Sequence, residues 1–161
     1  MKRVMQAVAE WDMIQEGDRL LLGLSGGKDS LCLLHALHEI QRRAPINFEI
    51  ACATVDPGTV AFNPRPLIAY CAALGVKYFY LEDPIFERAS SGSLRGSSIC
   101  SFCARMKRGL LYSCVRKEGY NKLVLAQHLD DMAESWMMSA FHNGTSRTMS
   151  FIYRYILNES C

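Results

Sequence analysis

Apolar residues recur along the chain with two alternating periods, one helical and one strand-like. Near the start, Val4, Val8 and Trp11 share one helical face, which predicts a helix from Lys2 to about Gln15, ended by Gly17. Arg19 to Leu24 is a short strand-like run. The polar, glycine-rich segment Ser25-Gly26-Gly27-Lys28-Asp29-Ser30 follows at once, and then a helix that turns Leu33, Leu34, Leu37 and Ile40 inward. Phe48 to Val55 reads as a buried strand, Asp56-Pro57-Gly58 as its turn, and Leu67, Tyr70, Cys71 and Leu74 as a helical stripe stopped at Gly75. Val76 to Leu81 is a third strand, and the Ser- and Gly-rich stretch from Glu87 to Ser98 a loop. A helix from about Ala104 to Lys117 stops at Gly119, and a fourth strand spans Leu123 to Ala126. His128-Leu129-Asp130-Asp131 then opens a last helix, whose Ala133, Trp136, Met137 and Phe141 are expected to be buried.

Strands alternating with helices predict an α/β fold, a doubly wound parallel sheet with helices on both faces. In such Rossmann-like sheets ligands bind beyond the carboxyl ends of the strands. The glycine loop and the His-Asp-Asp segment both sit at such ends, so both are expected on one rim. With 161 residues, half of them hydrophobic, one domain is expected, and it is read over residues 1–149 with an atypical tail at 150–161. No stretch approaches the roughly 20 apolar residues of a membrane span, and the charged start is unlike a signal peptide, so the reading is a soluble, unsecreted chain.

Seven cysteines in such a chain argue for reduced thiols over a disulfide framework. Cys32, Cys52 and Cys71 fall in apolar patterns and read as core. Net charge is only +2, so a nucleic-acid partner has no support from the global balance. Local clustering changes this: Arg88, Arg95, Arg105, Lys107, Arg108, Arg116 and Lys117 follow one another with no acidic residue between them.

Small residues between a strand and a helix present backbone N–H groups and the positive helix end to an anion, which suits phosphate. Only three residues separate Gly23 from Gly27, and Asp29 follows the lysine, so this is not a Walker A loop. Ser25, Gly26, Gly27, Lys28, Asp29 and Ser30 resemble the PP-loop signature of enzymes that cleave ATP between its α and β phosphates. By that resemblance the loop holds the pyrophosphate part of ATP. Asp56, at the end of the second strand, reads either as a nucleotide contact or as a turn former.

Cys100-Ser101-Phe102-Cys103 places two thiols one turn apart at the start of a basic helix, where cations and the helix terminus favour thiolate, the form that ligates metals and attacks sulfur donors. Alone, the spacing admits zinc, an iron–sulfur cluster, disulfide exchange or coincidence. The run from Cys100 to Tyr112 and that from Asn121 to Ser135 resemble the tRNA 2-thiocytidine synthetase family, with a likeness extending over about residues 15 to 149. That resemblance implies ATP, magnesium, an oxygen-sensitive 4Fe–4S cluster with Cys100 and Cys103 as two ligands, and conversion of the cytidine at position 32 of tRNA to 2-thiocytidine. Adenylation of the cytosine C2 oxygen makes it a leaving group, which sulfur from a donor such as a cysteine desulfurase system then displaces. Asp29 and Asp130 are candidate magnesium ligands, and His128 and Asp131 could position nucleotide or manage protons; equally, the paired aspartates could cap the last helix. Arg105, Arg108, Tyr112 and Arg116 share a helical face suited to RNA.

The family's chain continues further, with a third cluster cysteine beyond. Here Cys114, in the apolar stripe of its own helix, and Cys161, in the tail, are the substitutes on offer. A shortened chain would leave the fourth strand as a sheet edge. Two other functions stay open: another PP-loop tRNA enzyme, of the uridine-34 thiolase or lysidine synthetase type, and a silent nucleotide-binding remnant. A lysidine synthetase needs no such cysteine pair. A cytoplasmic location is expected, and a homodimer is left open.

Overall fold

The computed structural model describes residues 2–56, 58, 62–85 and 99–145. The expected loop at 87–98 and the tail at 150–161, with Cys161, lie outside the described residues. Helix α1 spans Lys2–Glu10, β1 Arg19–Gly23, α2 Lys28–Arg43, β2 Glu49–Asp56, α3 Arg65–Ala73 and β3 Lys77–Glu82. After these come α4 (Ile99–Lys117), β4 (Lys122–Val124) and α5 (Leu129–Asn143). The chain divides into two compact units, residues 1–126 and 127–161, so that α5 stands in the second.

The four strands form one parallel sheet in the order β3-β2-β1-β4. Parallel strands buried on both faces need near-continuous apolar runs, and β1 supplies one: Leu20, Leu21 and Leu22 are all buried. Alternate residues serve opposite faces. Leu20 and Leu22, with Ile50 and Cys52 of β2, join Leu34, Leu37 and Ile40 of α2 and Cys71 of α3 on one side. Leu21, with Ala51 and Ala53, joins Leu111, Cys114 and Val115 of α4 and Tyr120 on the other. Helices therefore cover both faces, as the doubly wound expectation requires.

Four expectations are corrected. Helix α1 ends at Glu10 because Asp12 takes a left-handed backbone at φ 48° and the Met13 N–H turns back to Val8 O at 2.9 Å. Its Met5 and Val8 pack on the core, whereas Trp11 is 59% exposed. Cys32 is exposed, because the buried stripe of α2 runs through Ser30, Leu34, Leu37 and Ile40 and leaves position 32 outside it. In α5, Ala133 is exposed, and Trp136, Met137 and Phe141 are exposed by 47%, 47% and 79%. Among the described residues, β4 is an outer strand of the sheet.

A polar network closes the amino ends of the strands. The Asp18 side chain, only 6% exposed, pairs with Lys122 at 2.5 Å and accepts hydrogen bonds from Asn121 Nδ2 at 2.8 Å and the Gln15 N–H at 2.6 Å. Arg19 donates to Glu49 at 2.7 Å and to the Gly119 carbonyl at 2.8 Å, and its guanidinium lies 4.6 Å from the centre of the Tyr120 ring. The network joins β1, β2 and β4 to the end of α4. Burial alone would raise the Asp18 carboxyl, but Lys122, the Gln15 N–H and Asn121 outweigh it and hold the carboxyl below its ordinary value. The Arg19 hydrogen bond, assisted by Tyr120, lowers Glu49 as well.

Both carboxyls are more acidic in the folded chain than in the unfolded one. Their contribution is complete above the unfolded values of 3.8 and 4.5 and is lost as pH falls through the lower folded values. Asp18→Ala is expected to cost about 2–4 kcal/mol in urea unfolding at pH 7, because it strands Lys122 and two further donors. The difference between variant and parent should begin to shrink once pH falls below the unfolded value of 3.8 and go on shrinking as pH falls through the lower folded value.

Candidate functional site

The glycine loop emerges where β1 ends. Leu24 continues the ladder, its N–H donating to Ala53 O at 2.8 Å, and the Thr54 hydroxyl, buried, donates to Leu24 O at 2.6 Å. Thr54 thus fixes the last carbonyl before the loop. Beyond it the loop closes a ring of hydrogen bonds: Gly27 N–H to Ser25 Oγ at 3.3 Å, Ser25 Oγ to Ser30 Oγ at 3.2 Å, and Ser30 Oγ to Gly27 O at 2.9 Å. Ser30 is 3% exposed and lies beneath the loop, whereas Ser25, Gly26, Gly27 and Lys28 are exposed.

The two glycines differ. Gly26 has φ +82°, a left-handed backbone, and a Cβ there would meet Leu67 of α3 at 3.4 Å. Gly27 is extended, with φ −73° and ψ 157°, and stands at the N-cap of α2. Helix α2 therefore starts with its first-turn N–H groups directed at the exposed loop, where no i−4 carbonyl can take them. Its Lys28 side chain is 87% exposed and 4.0 Å from the Asp29 carboxylate. N–H groups, a positive helix end and a lysine around an exposed glycine backbone suit a phosphate group.

Asp56 closes β2 on the same rim, since β1 and β2 are parallel and in register from Arg19 and Glu49 to Gly23 and Ala53. Its Oδ1 accepts the Gly58 N–H at 2.7 Å, as the expected turn requires, and its Oδ2 accepts the hydroxyl of Tyr80 from β3. Pattern reading missed Tyr80. Nothing in the strand's own sequence, Lys77-Tyr78-Phe79-Tyr80-Leu81-Glu82, sets Tyr80 apart from Tyr78.

Helix α4 runs antiparallel to β1. Its end touches Arg19, whose Nη1 reaches Glu118 O at 3.2 Å, while a Cβ on Gly23 would lie 3.3 Å from Leu111. Cys103, eight residues before Leu111, therefore stands about 12 Å further along the helix, beyond the carboxyl end of β1. Its thiol is free and half-buried, and Cys100 lies one helical turn earlier. Cys114 is excluded as a partner for them. It is 5% exposed in the core under the sheet, burial raises its thiol, and it stands three turns from Cys103. Among the described residues no three His, Cys, Asp or Glu side chains group as a metal site. Two thiols at this spacing fit part of an iron–sulfur or zinc ligand set.

Further along α4, Arg105, Arg108 and Arg116 are exposed and Tyr112 half-buried, on a stripe distinct from Leu111, Cys114 and Val115. His128, Asp130 and Asp131 belong to the second unit. His128 is the N-cap of α5, and Asp131 Oδ2 accepts its backbone N–H at 2.9 Å and lies 3.4 Å from its Nδ1. At least one of the paired aspartates thus caps the helix.

A family model described as a PP-loop domain matches residues 1–155. The chain belongs to the PP-loop domain family. Among its relatives is the tRNA-cytidine(32) 2-sulfurtransferase of Geobacter metallireducens, 38% identical over 145 residues, which are 90% of this chain and 56% of that protein. Its namesakes in Syntrophotalea carbinolica, 40% identical over 90% of this chain and 56% of theirs, and Tolumonas auensis, 36% identical over 92% and 49%, are similar. The chain thus spans about half the length of the curated relatives it matches. Among solved structures, the U34-tRNA thiolase NcsA from Methanococcus maripaludis with its 4Fe-4S cluster superposes at TM-score 0.70 and 24% identity, over 82% of this chain and 45% of that one. The NH3-dependent NAD synthetase of Campylobacter jejuni superposes at 0.55 and 19% identity, over 87% and 58%. Both share the fold.

The two loop glycines should respond differently to alanine. Gly26→Ala forces a side chain into the left-handed region and should cost about 1–2 kcal/mol. Gly27→Ala should stay within about 0.5 kcal/mol of the parent, since its backbone suits any residue. Urea unfolding of the two variants measures both.

Proposed function

We propose that this chain is the ATP-binding part of a tRNA 2-thiolation enzyme, one that adenylates the C2 oxygen of cytidine 32 and replaces it with sulfur. The observation that carries the reading is the joint placement of the glycine loop and the cysteine pair of α4 beyond the carboxyl ends of the same sheet. One gives a phosphate site, the other a sulfur-handling site, and a thiolation needs both. The similarity to sulfurtransferases over nine-tenths of the chain supports the choice of base.

In this reading Ser25 to Ser30 hold the pyrophosphate portion of ATP and Asp56 faces its nucleoside end. Lys28 offsets charge on the phosphates, and Asp29 or Asp130 is the proposed oxygen ligand for magnesium. Cys100 and Cys103 would hold the 4Fe–4S cluster, which supplies a site for binding and transferring sulfur. Arg105, Arg108 and Arg116 follow the RNA backbone, with Tyr112 on the same helical face. His128 and Asp131 orient the adenylated base or move its protons. The partners are tRNA and a cysteine desulfurase system; no described helix is long and apolar enough to cross a membrane, and the setting proposed is cytoplasmic. A uridine-34 thiolase is the second reading, favoured by the superposition on NcsA.

Anaerobic reconstitution with iron and sulfide, followed by visible absorption and iron analysis, tests the cysteine pair. Cluster absorption in the parent, lost in both Cys100→Ser and Cys103→Ser with urea stability unchanged, is expected. Equal iron uptake by parent and both variants would refute the ligand role.

A further inference from the structure

The carboxylate of Asp56 is held in one orientation by two donors from different elements, Gly58 N–H on Oδ1 and the Tyr80 hydroxyl on Oδ2. A turn-forming aspartate needs only the first of these. The second comes from the neighbouring strand. Tyr80 is paired with Thr54 in the ladder, and its ring reaches two positions toward the carboxyl end to meet Asp56. Burial of Tyr80 is only partial, so filling the core does not account for a hydroxyl at this place.

Each carboxylate oxygen accepts along two directions, so each keeps one acceptor direction after these bonds are made. What remains is a fixed, anionic pair of acceptors on the rim of the sheet. A triphosphate is repelled by it and is drawn instead to the loop at the end of β1. The part of ATP that carries donors toward a neighbouring strand is the ribose, whose 2′ and 3′ hydroxyls form an adjacent pair. Between Thr54, which anchors Leu24 below the glycine loop, and Asp56 the strand advances about 7 Å, roughly the separation of a ribose from a bound phosphate chain.

We infer that Asp56, oriented by Tyr80, reads the ribose hydroxyls of the nucleotide, so that the site selects ribonucleotides over deoxyribonucleotides. Tyr80 is a positioning residue, acting through Asp56 without touching the nucleotide. Its hydroxyl keeps its proton throughout the physiological range: the bond to Asp56, with burial adding to it, pushes its pKa up to about 12. The inference rests on the proposal that the glycine loop binds ATP.

Equilibrium binding of MgATP, 2′-deoxy-ATP and 3′-deoxy-ATP to the full chain tests it, alongside Tyr80→Phe, Asp56→Asn and Gly26→Ala, each checked for an unchanged thermal midpoint or corrected for its shift. The parent should prefer ATP over at least one deoxy analogue by about ten- to a hundredfold, the range of a hydrogen bond to a charged group. Tyr80→Phe should cut that ratio severalfold, Asp56→Asn should nearly abolish it, and Gly26→Ala should weaken all three nucleotides alike with the ratio intact. A parent that binds all three equally, with Gly26→Ala weakening them, overturns ribose reading and leaves the ATP site standing. Equal weakening of all three by Asp56→Asn assigns the carboxylate to metal or fold and overturns it too. Failure of every nucleotide to bind overturns both proposals.

Discussion

Strand β1 is the constraint on which the rest depends. It is hydrogen-bonded on both edges, to β2 and to β4, and covered on both faces, so its three central leucines have almost no exposed surface. A one-residue slip would exchange the α2-facing side chains for the α4-facing ones and put Leu21 where Leu20 and Leu22 belong. Because β1 cannot slip, the point at which the chain leaves the sheet is fixed. That exit is the glycine loop. Thr54 then fixes the final carbonyl, and Ser25 and Ser30 close the loop on itself, so its backbone donors are already arranged.

The two rims of the sheet are built differently. At the amino end, charged side chains satisfy one another: Asp18 with Lys122, and Arg19 with Glu49 and the carbonyls that end α4. At the carboxyl end, among the described residues, lie the exposed glycine loop and the start of α2, with Asp56 held by Gly58 and Tyr80. Parallel strands joined by crossover helices impose this division, since α2, α3 and α4 present their amino ends to the carboxyl rim. The polar network holds the strands together at the rim opposite the proposed ligand site.

Much of this was legible from residue pattern. The strand runs were apolar and short, the glycine segment lay between a strand and a helix, and each of the four strands appeared within a few residues of its expected place. Errors arose where local pattern did not determine the outcome. Trp11 looked like the end of a helical stripe, but Asp12 turns the chain before it. Cys32 sat in an apolar run yet fell off the buried stripe of α2, which is set by where β1 and β2 lie. Trp136, Met137 and Phe141 have helical spacing, but periodicity says nothing about whether an element exists to cover them. Tyr80 escaped notice because its partner is on another strand, and no spacing within one segment reveals that pair.

The central claim is that the loop from Ser25 to Ser30 is a preformed pyrophosphate site. Titrating the full chain with inorganic pyrophosphate while recording the backbone amide NMR spectrum tests it directly. Saturable shifts concentrated at Gly26, Gly27, Lys28 and Asp29, replaced by those of the nucleotide complex when MgATP is added as competitor, are predicted. Shifts confined to other basic segments such as α4, or none at saturating pyrophosphate, would contradict it.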